Sequence, residues 1–283
     1  MSEERFCTYE TAWCPGCGNH SILECLKTAL ERLGREPHEI LMAAGIGQAA
    51  KTPQYINANA FCGLHGRSLP AAIAAKIANE RLTVIVDTGD GDSYGEGGNH
   101  FIHNIRRNVD IAHFVHDNQV YGLTKGQASP TSMEGMVTGV QVDGSMNEPM
   151  NPVLMAIAAG AGFVARAFSG NKEHLVSVML QAIEYKGYAL VDILQPCVSF
   201  NKINTFAWYS KRVYELDGAY DPGDKISAMQ KAMEFGDKIP IGVLYREQKR
   251  TFHEKNPVLK EGAPLADRAT DPSVIKKLIK EFQ

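Results

Sequence analysis

An excess of charge of either sign is the first thing missing from this chain. Its 283 residues carry 29 lysines and arginines against 32 aspartates and glutamates, a formal net charge of −3. It therefore offers no basic domain of the kind that grips nucleic acid, and Lys249-Arg250 and Lys276-Lys277 read as short solvated pairs. Long apolar runs are missing too. None approaches the roughly 18 residues of a membrane span, and the opening Met1-Ser2-Glu3-Glu4-Arg5 has no apolar signal region. A cytoplasmic protein with no membrane or nucleic-acid partner is the expectation. Six cysteines without an export signal argue against a disulfide framework. No G-x-G-x-x-G follows a strand and no G-x-x-x-x-G-K-S/T occurs, which excludes the nicotinamide and P-loop signatures. Internal repeats and low-complexity tracts are absent as well.

What is present is enough apolar material for a core, 44% of residues, distributed in alternating rhythms. After an irregular arm at 1–12, Ile22, Leu23, Leu26, Leu30 and Leu33 form a helical stripe stopped by Gly34. A short strand at 39–44 breaks at Gly45-Ile46-Gly47, and 52–61 is polar and loop-like. A small-residue helix at 70–79 precedes Leu-Thr-Val-Ile-Val-Asp at 82–87, which reads as a parallel strand buried on both faces. A second apolar strand follows at 111–115. After a long loop at 129–151 come a helix begun by Asn151-Pro152, a strand at 163–168, a helix at 172–185 and a strand at 189–194. That alternation predicts an α/β fold with a doubly wound, mostly parallel sheet, its ligands at the carboxyl ends of the strands. Residues 1–200 are expected to form that domain. Residues 201–283 form an extension: a helix at 225–235, a strand at 241–245, an extended arm at 253–271 packing on the core and a partner, and a terminal helix from Pro272.

The chemistry gathers at two strand ends. The first runs into Thr88-Gly89-Asp90-Gly91-Asp92, where glycines let the chain turn sharply and let an anion approach backbone N–H groups. The second ends in Asp117-Asn118. Magnesium takes one or two carboxylates plus phosphate oxygens and water. Asp90 can supply a carboxylate, Asn118 an amide oxygen and Val120 a backbone carbonyl. Gly89, Gly91 and Gly122 permit close approach of a diphosphate, Asp92, Leu123 and Thr124 border it, and Gln127 is a further donor. Asp92 reads as a diphosphate contact or a loop-ordering residue. His65 is the candidate polar contact to cofactor or substrate, and Lys125 the candidate partner of a substrate carboxylate. His100 and His103, spaced i, i+3 near Glu96, read as packing residues.

Gly89-Asp90-Gly91, followed after 26 residues by Asn118, resembles the thiamine-diphosphate motif, whose Asp and Asn hold magnesium. Four further pieces surround it: Trp13-Cys14-Pro15-Gly16-Cys17-Gly18, Gly63-Leu64-His65-Gly66-Arg67, Tyr121 to Gln127 with Ser129-Pro130-Thr131, and Gln195-Pro196-Cys197. Together they resemble the β subunit of a 2-oxoacid:ferredoxin oxidoreductase over residues 10–250. The resemblance implies thiamine diphosphate, Mg2+ and a 4Fe–4S cluster as cofactors. It also implies an α subunit as partner, with coenzyme A, a 2-oxoacid and ferredoxin. The reaction implied is oxidative decarboxylation of a 2-oxoacid of the 2-oxoglutarate or pyruvate class to acyl-CoA and CO2. No glutamate here suits the aminopyrimidine ring, and in the family it comes from the partner chain.

The cysteines carry the one departure. Cys14-x-x-Cys17 in a Pro/Gly turn suits a metal or iron–sulfur site, with a redox dithiol or two unrelated thiols as alternatives. Cys25 lies on the helical stripe and reads as core, and Cys7 as incidental. Cluster-bearing relatives use four cysteines. Cys14, Cys17 and Cys197 match, but Gln48 follows Gly45-Ile46-Gly47 where the fourth would stand. Cys62 is a possible replacement. A cluster with a labile iron, one recruited through Cys62, and none are all compatible with the sequence, a bound 4Fe–4S cluster being preferred. Two other functions compete: a non-oxidative thiamine-dependent decarboxylase or synthase, which leaves the three cysteines unexplained, and a cluster-less, non-catalytic subunit, supported by Gln48 alone.

Overall fold

The computed structural model describes residues 5–7, 9–269 and 271–282, so part of the N-terminal arm expected at 1–12 lies outside the described residues. In chain order the elements are α1 (Gly18–Arg32), β1 (Ile40–Ala44), β2 (Asn59–Cys62), α2 (Ser68–Ala78), β3 (Thr83–Gly89), α3 (Gly98–Arg107) and β4 (Ile111–Asp117). A two-stranded ribbon, β5 (Val120–Tyr121) and β6 (Gln127–Ala128), is followed by α4 (Pro152–Ala159), β7 (Phe163–Phe168), α5 (Lys172–Glu184) and β8 (Tyr188–Leu194). Then come α6 (Phe206–Ser210), β9 (Val213–Glu215), α7 (Lys225–Met233), β10 (Ile239–Arg246), α8 (Phe252–Lys255), α9 (Pro257–Lys260) and α10 (Pro272–Glu281).

Eight strands form one sheet in the order β2-β1-β3-β4-β8-β7-β10-β9. Every pairing from β2 through β7 is parallel, β10 runs antiparallel to β7, and β9 lies parallel to β10. Successive residues of β3 serve opposite layers, because side chains alternate across a strand. Ile85 packs with α1 and α5 on one face, while Val84 and Val86 pack with α2, α3, α4 and α7 on the other. This is why β3, β4 and β8 are nearly continuous apolar runs: both faces are covered. The segment beyond residue 200 adds β9 and β10 to the same sheet.

Two local expectations are corrected. The stretch 52–61 is not all loop: Ala49–Gln54 makes a 3₁₀ turn and Asn59–Cys62 pairs with Leu41–Ala44 as an exposed edge strand. Its residues lack the apolar alternation that marks a strand, and pairing with β1 alone makes it one. The arm at 253–271 is not extended throughout. It is broken into short helical turns, two of them begun by a side-chain cap: Thr251 with Glu254 for α8 and Asn256 for α9. It is fastened to the body by Phe252 N–H donating to Asn108 O at 3.1 Å and by an Arg81–Asp267 ion pair. Among the described residues, no helix is long and apolar enough to cross a membrane.

Candidate active site

β3 and β4 are parallel neighbours with Gly89 opposite His116, so Asp90 and Asn118 emerge from adjacent strand ends, about 5 Å apart in sheet spacing. The chain passes from β3 directly into a π-helical turn, Gly91–Glu96. Gly91 is required there: a Cβ would lie 2.2 Å from the Tyr121 ring. Gln119, between Asn118 and Val120, is held at φ 61° and is buried. This left-handed turn directs the Asn118 side chain and the Val120 backbone into one loop, with Asn118 Oδ1 accepting the Val120 N–H at 3.0 Å. A cavity of about 100 Å³ opens between these strand ends, walled by Gly89–Asp92, Asn118, Val120 to Thr124, His65 and Ile46 to Ala49. Lys125 stands outside that wall, exposed on the β5–β6 turn with φ 75°.

Asp90 is buried and braced from behind. Its Oδ2 accepts from Ser129 Oγ at 2.5 Å and Thr131 Oγ1 at 2.7 Å. Burial pushes its carboxyl above the ordinary range, and those two hydroxyls oppose the shift. The Thr131 hydroxyl also lies 2.7 Å from Asp117 Oδ1. Burial, then Asp192, then Asp90 push the Asp117 carboxyl well above the carboxylate range. The Thr131 hydroxyl thus lies within hydrogen-bonding reach of both carboxyls and ties Asp117 to Asp90. Asp192 behind it is raised to about 6, chiefly by burial and against the buried Arg166.

Asp92 acts on the loops. Its Oδ1 accepts the N–H groups of Ile46 at 3.0 Å and Gly66 at 2.8 Å and lies 2.7 Å from His65 Nδ1. Two segments distant in sequence, at Ile46 and at His65-Gly66, are thereby pinned to one carboxylate. Gly45 must be glycine for this, since a Cβ would fall 2.0 Å from Asp92 Oδ2. His65 is left with one ring nitrogen tied to Asp92 and its ring half-exposed at the cavity, edge-on to Tyr121.

The structure gathers Cys14, Cys17 and Cys197. Each sulfur faces a donor: Ser199 Oγ at 3.1 Å from Cys14, Gln195 Nε2 at 3.4 Å from Cys17, and Phe200 N–H at 3.5 Å from Cys197. Burial, with a contribution from the other two thiols, pushes Cys17 up to about 11. Each of the three sulfurs thus accepts a hydrogen bond, while burial disfavours the thiolate form of Cys17. Among the described residues, no three His, Cys, Asp or Glu side chains converge on a single metal ion. That holds for His100 and His103 too, His100 facing Arg67 Nη1 at 3.3 Å instead. Cys62 sits at the exposed end of β2 opposite Ala44, and none of the contacts joining the three cysteines reaches it. Cys25 is buried in α1, its Sγ directed at Lys172 O.

The sequence marked Ser129 and Thr131 as part of a motif and Asp117 as a strand end, but not their roles in holding Asp90, because the contacts cross 14 to 41 residues.

A doubly wound parallel sheet with an Asp–Asn pair and glycine turns at neighbouring strand ends defines a thiamine-diphosphate enzyme. Residues 39–193 match the family described as thiamine pyrophosphate enzyme, C-terminal TPP binding domain, and residues 197–261 match the C-terminal family of the pyruvate ferredoxin oxidoreductase beta subunit. The chain is 44% identical to the 2-oxoacid:ferredoxin oxidoreductase subunit beta of Saccharolobus solfataricus, covering 86% of this chain and 84% of that one. It is 42% identical to the 2-oxoacid:ferredoxin oxidoreductase 2 subunit beta of Aeropyrum pernix, covering 91% and 87%. The solved 2-oxoglutarate:ferredoxin oxidoreductase of Magnetococcus marinus, with 2-oxoglutarate, coenzyme A and succinyl-CoA bound, superposes with a TM-score of 0.91 at 33% identity, covering 99% and 95%. The chain belongs to the β subunits of the 2-oxoacid:ferredoxin oxidoreductases, an oxidoreductase family with a thiamine-diphosphate-binding domain.

Proposed function

We propose that this chain binds Mg2+–thiamine diphosphate and one iron–sulfur cluster. With an α subunit it oxidatively decarboxylates a 2-oxoacid, of the 2-oxoglutarate or pyruvate class, to acyl-CoA and CO2 in the cytoplasm, with ferredoxin as acceptor. The observation that carries this reading is the braced Asp90 beside Asn118 at neighbouring strand ends, with three hydrogen-bonded cysteine sulfurs on the same carboxyl side of the sheet.

Asp90, Asn118 and the Val120 carbonyl would hold magnesium, a donor set of oxygens that suits a hard cation. Gly89, Gly91, Gly122, Leu123 and Thr124 would take the diphosphate through exposed backbone. When bound, the cofactor supplies the carbanion that adds to a 2-oxoacid ketone. Asp92 fixes the orientation of His65, which then presents a polar ring nitrogen toward the reacting end. Lys125, on the exposed turn tip, offers an ammonium to a substrate carboxylate entering from outside. The carboxylates in the cavity wall, Asp90 and Asp92, are both engaged. The acid that faces the aminopyrimidine is therefore assigned to the partner subunit, on which part of the 201–283 extension would pack. Co-production of the chain with its partner under anaerobic conditions tests this. The complex should reduce ferredoxin only with a 2-oxoacid and coenzyme A together, and reduction without coenzyme A, or none with any 2-oxoacid, overturns it.

A further inference from the structure

Gln48 has no part in the function proposed above, yet its surroundings are those of a binding residue. Its backbone is fixed, the carbonyl accepting Trp13 Nε1 at 2.8 Å and the Lys51 N–H at 3.3 Å. Its side chain lines the cofactor cavity, with Cγ 3.6 Å from where a Gly122 Cβ would lie. Its Oε1 is buried and, among the described residues, has no hydrogen-bond partner. Asp92 Oδ2, on another residue of the same wall, is a second buried acceptor without a donor. Buried oxygens in that condition cost the fold stability, so both favour a ligand that brings hydrogens.

The chemistry of the expected ligand narrows which hydrogens those are. An ionised diphosphate offers oxygens only. The cofactor's pyrimidine carries an amino donor, but Gln48 lies against Gly122, in the loop assigned to the diphosphate. Magnesium remains. It demands octahedral oxygen ligands and keeps water where protein and phosphate leave a position open. Asp90, Asn118, the Val120 carbonyl and two diphosphate oxygens leave one such position, and a water held there has hydrogens to give. We infer that Gln48 is an outer residue of the magnesium site, its Oε1 and Asp92 Oδ2 being the acceptors for the water on the metal. This rests on the magnesium assignment made above. Gln48 thereby holds the metal without touching it, and outer partners of that kind are typically worth about 10–100-fold in affinity.

The test uses the full-length chain in complex with its partner and freed of cofactor, with Mg2+ titrated calorimetrically in excess thiamine diphosphate. Gln48→Leu, of similar bulk but without an acceptor, should weaken Mg2+ binding about 10-fold. Its thermal unfolding midpoint without cofactor should equal or exceed that of wild type, because a buried acceptor lacking a donor has gone. A merely structural glutamine would not pair weaker binding with undiminished stability. Gln48→Glu, which keeps an acceptor, should bind Mg2+ more tightly than Gln48→Leu. Unchanged affinity in Gln48→Leu overturns the inference. If Gln48→Leu lowers the midpoint, unbranched Gln48→Met decides, and a loss of stability in both overturns it too. A glutamate variant no tighter than the leucine variant also overturns it, and makes the amide a donor to the diphosphate. If wild type and Asp90→Ala take up Mg2+ alike, the magnesium assignment itself fails, whatever the Gln48 variants do.

Discussion

Asp90 depends on its neighbours as much as on its own carboxylate. Thr131 links it to Asp117, and Ser129 supplies a second donor. Removing that outer hydroxyl while keeping its shape, as in Thr131→Val, should weaken magnesium-dependent thiamine diphosphate binding by about 10–100-fold. Asp90→Ala should abolish it in a chain that remains folded, because the magnesium that would hold the diphosphate loses a carboxylate ligand. Calorimetric titration measures both, and unchanged affinity in Asp90→Ala removes the metal assignment. A second buried residue sets a pH dependence of stability. His113 Nε2 lies 2.9 Å from Ser93 Oγ and 3.0 Å from Thr88 Oγ1, and Nδ1 is 2.7 Å from Tyr188 OH. Burial lowers its pKa from 6.5 to about 3, so below pH 6.5 the unfolded chain takes up a proton that the folded chain refuses. Stability is full above that pH and falls as pH drops toward 3. The loss should be about 2 kcal/mol between about pH 6.5 and 4.5, at roughly 1.36 kcal/mol per unit. Urea melts across that range should show a shallower slope for His113→Gln than for the wild type, and identical slopes would refute the assignment.

At the scale of elements, the site is assembled by loops that touch at their glycines. Gly66, at φ 71° between β2 and α2, approaches the turn after β3 so closely that a Cβ would lie 2.4 Å from the backbone carbon of Glu96. Backbone cannot rotate aside as a side-chain tip can, and an L-residue is strained at that φ. Gly66→Ala should therefore destabilise the chain by about 2 kcal/mol or more, and it should displace the N–H that Asp92 accepts. A denaturant midpoint equal to wild type would show that the contact yields. The sequence motif around His65 is thus explained in part by packing. Its glycine serves the fit between two turns, and the histidine is carried into the cavity wall by that fit.

For the whole molecule, the open question is what completes the site. The cavity wall contains no glutamate, and the loop that covers Asp90 leaves Val137, Val140, Val142 and Met146 exposed, as does the apolar face of α10. Apolar groups clustered on a surface mark places where another chain packs. The chain by itself should accordingly show no formation of acyl-CoA from pyruvate or 2-oxoglutarate, and activity should appear on adding the partner subunit. A dye-reduction assay on the isolated, cofactor-loaded chain checks this, and turnover without the partner would refute it.

The sequence by itself determined the strands whose ends carry the candidate site. The buried runs at 82–87, 111–115 and 189–194 lie along β3, β4 and β8, and Asp90 and Asn118 were legible because glycine turns and oxygen ligands directly follow those runs. Such signals live in contiguous residues: strand burial on both faces and turn chemistry are local. The tertiary structure alone decided which residues hold Asp90, that Asp92 binds loops, that a polar stretch becomes edge strand β2, and that Gln48 lines the cofactor cavity. Each of these follows from strand order and loop closure, which bring together residues tens of positions apart in the chain, 46 in the case of Ile46 and Asp92. No periodicity within either segment records that meeting, because its energy comes from groups that become neighbours only when the sheet has formed.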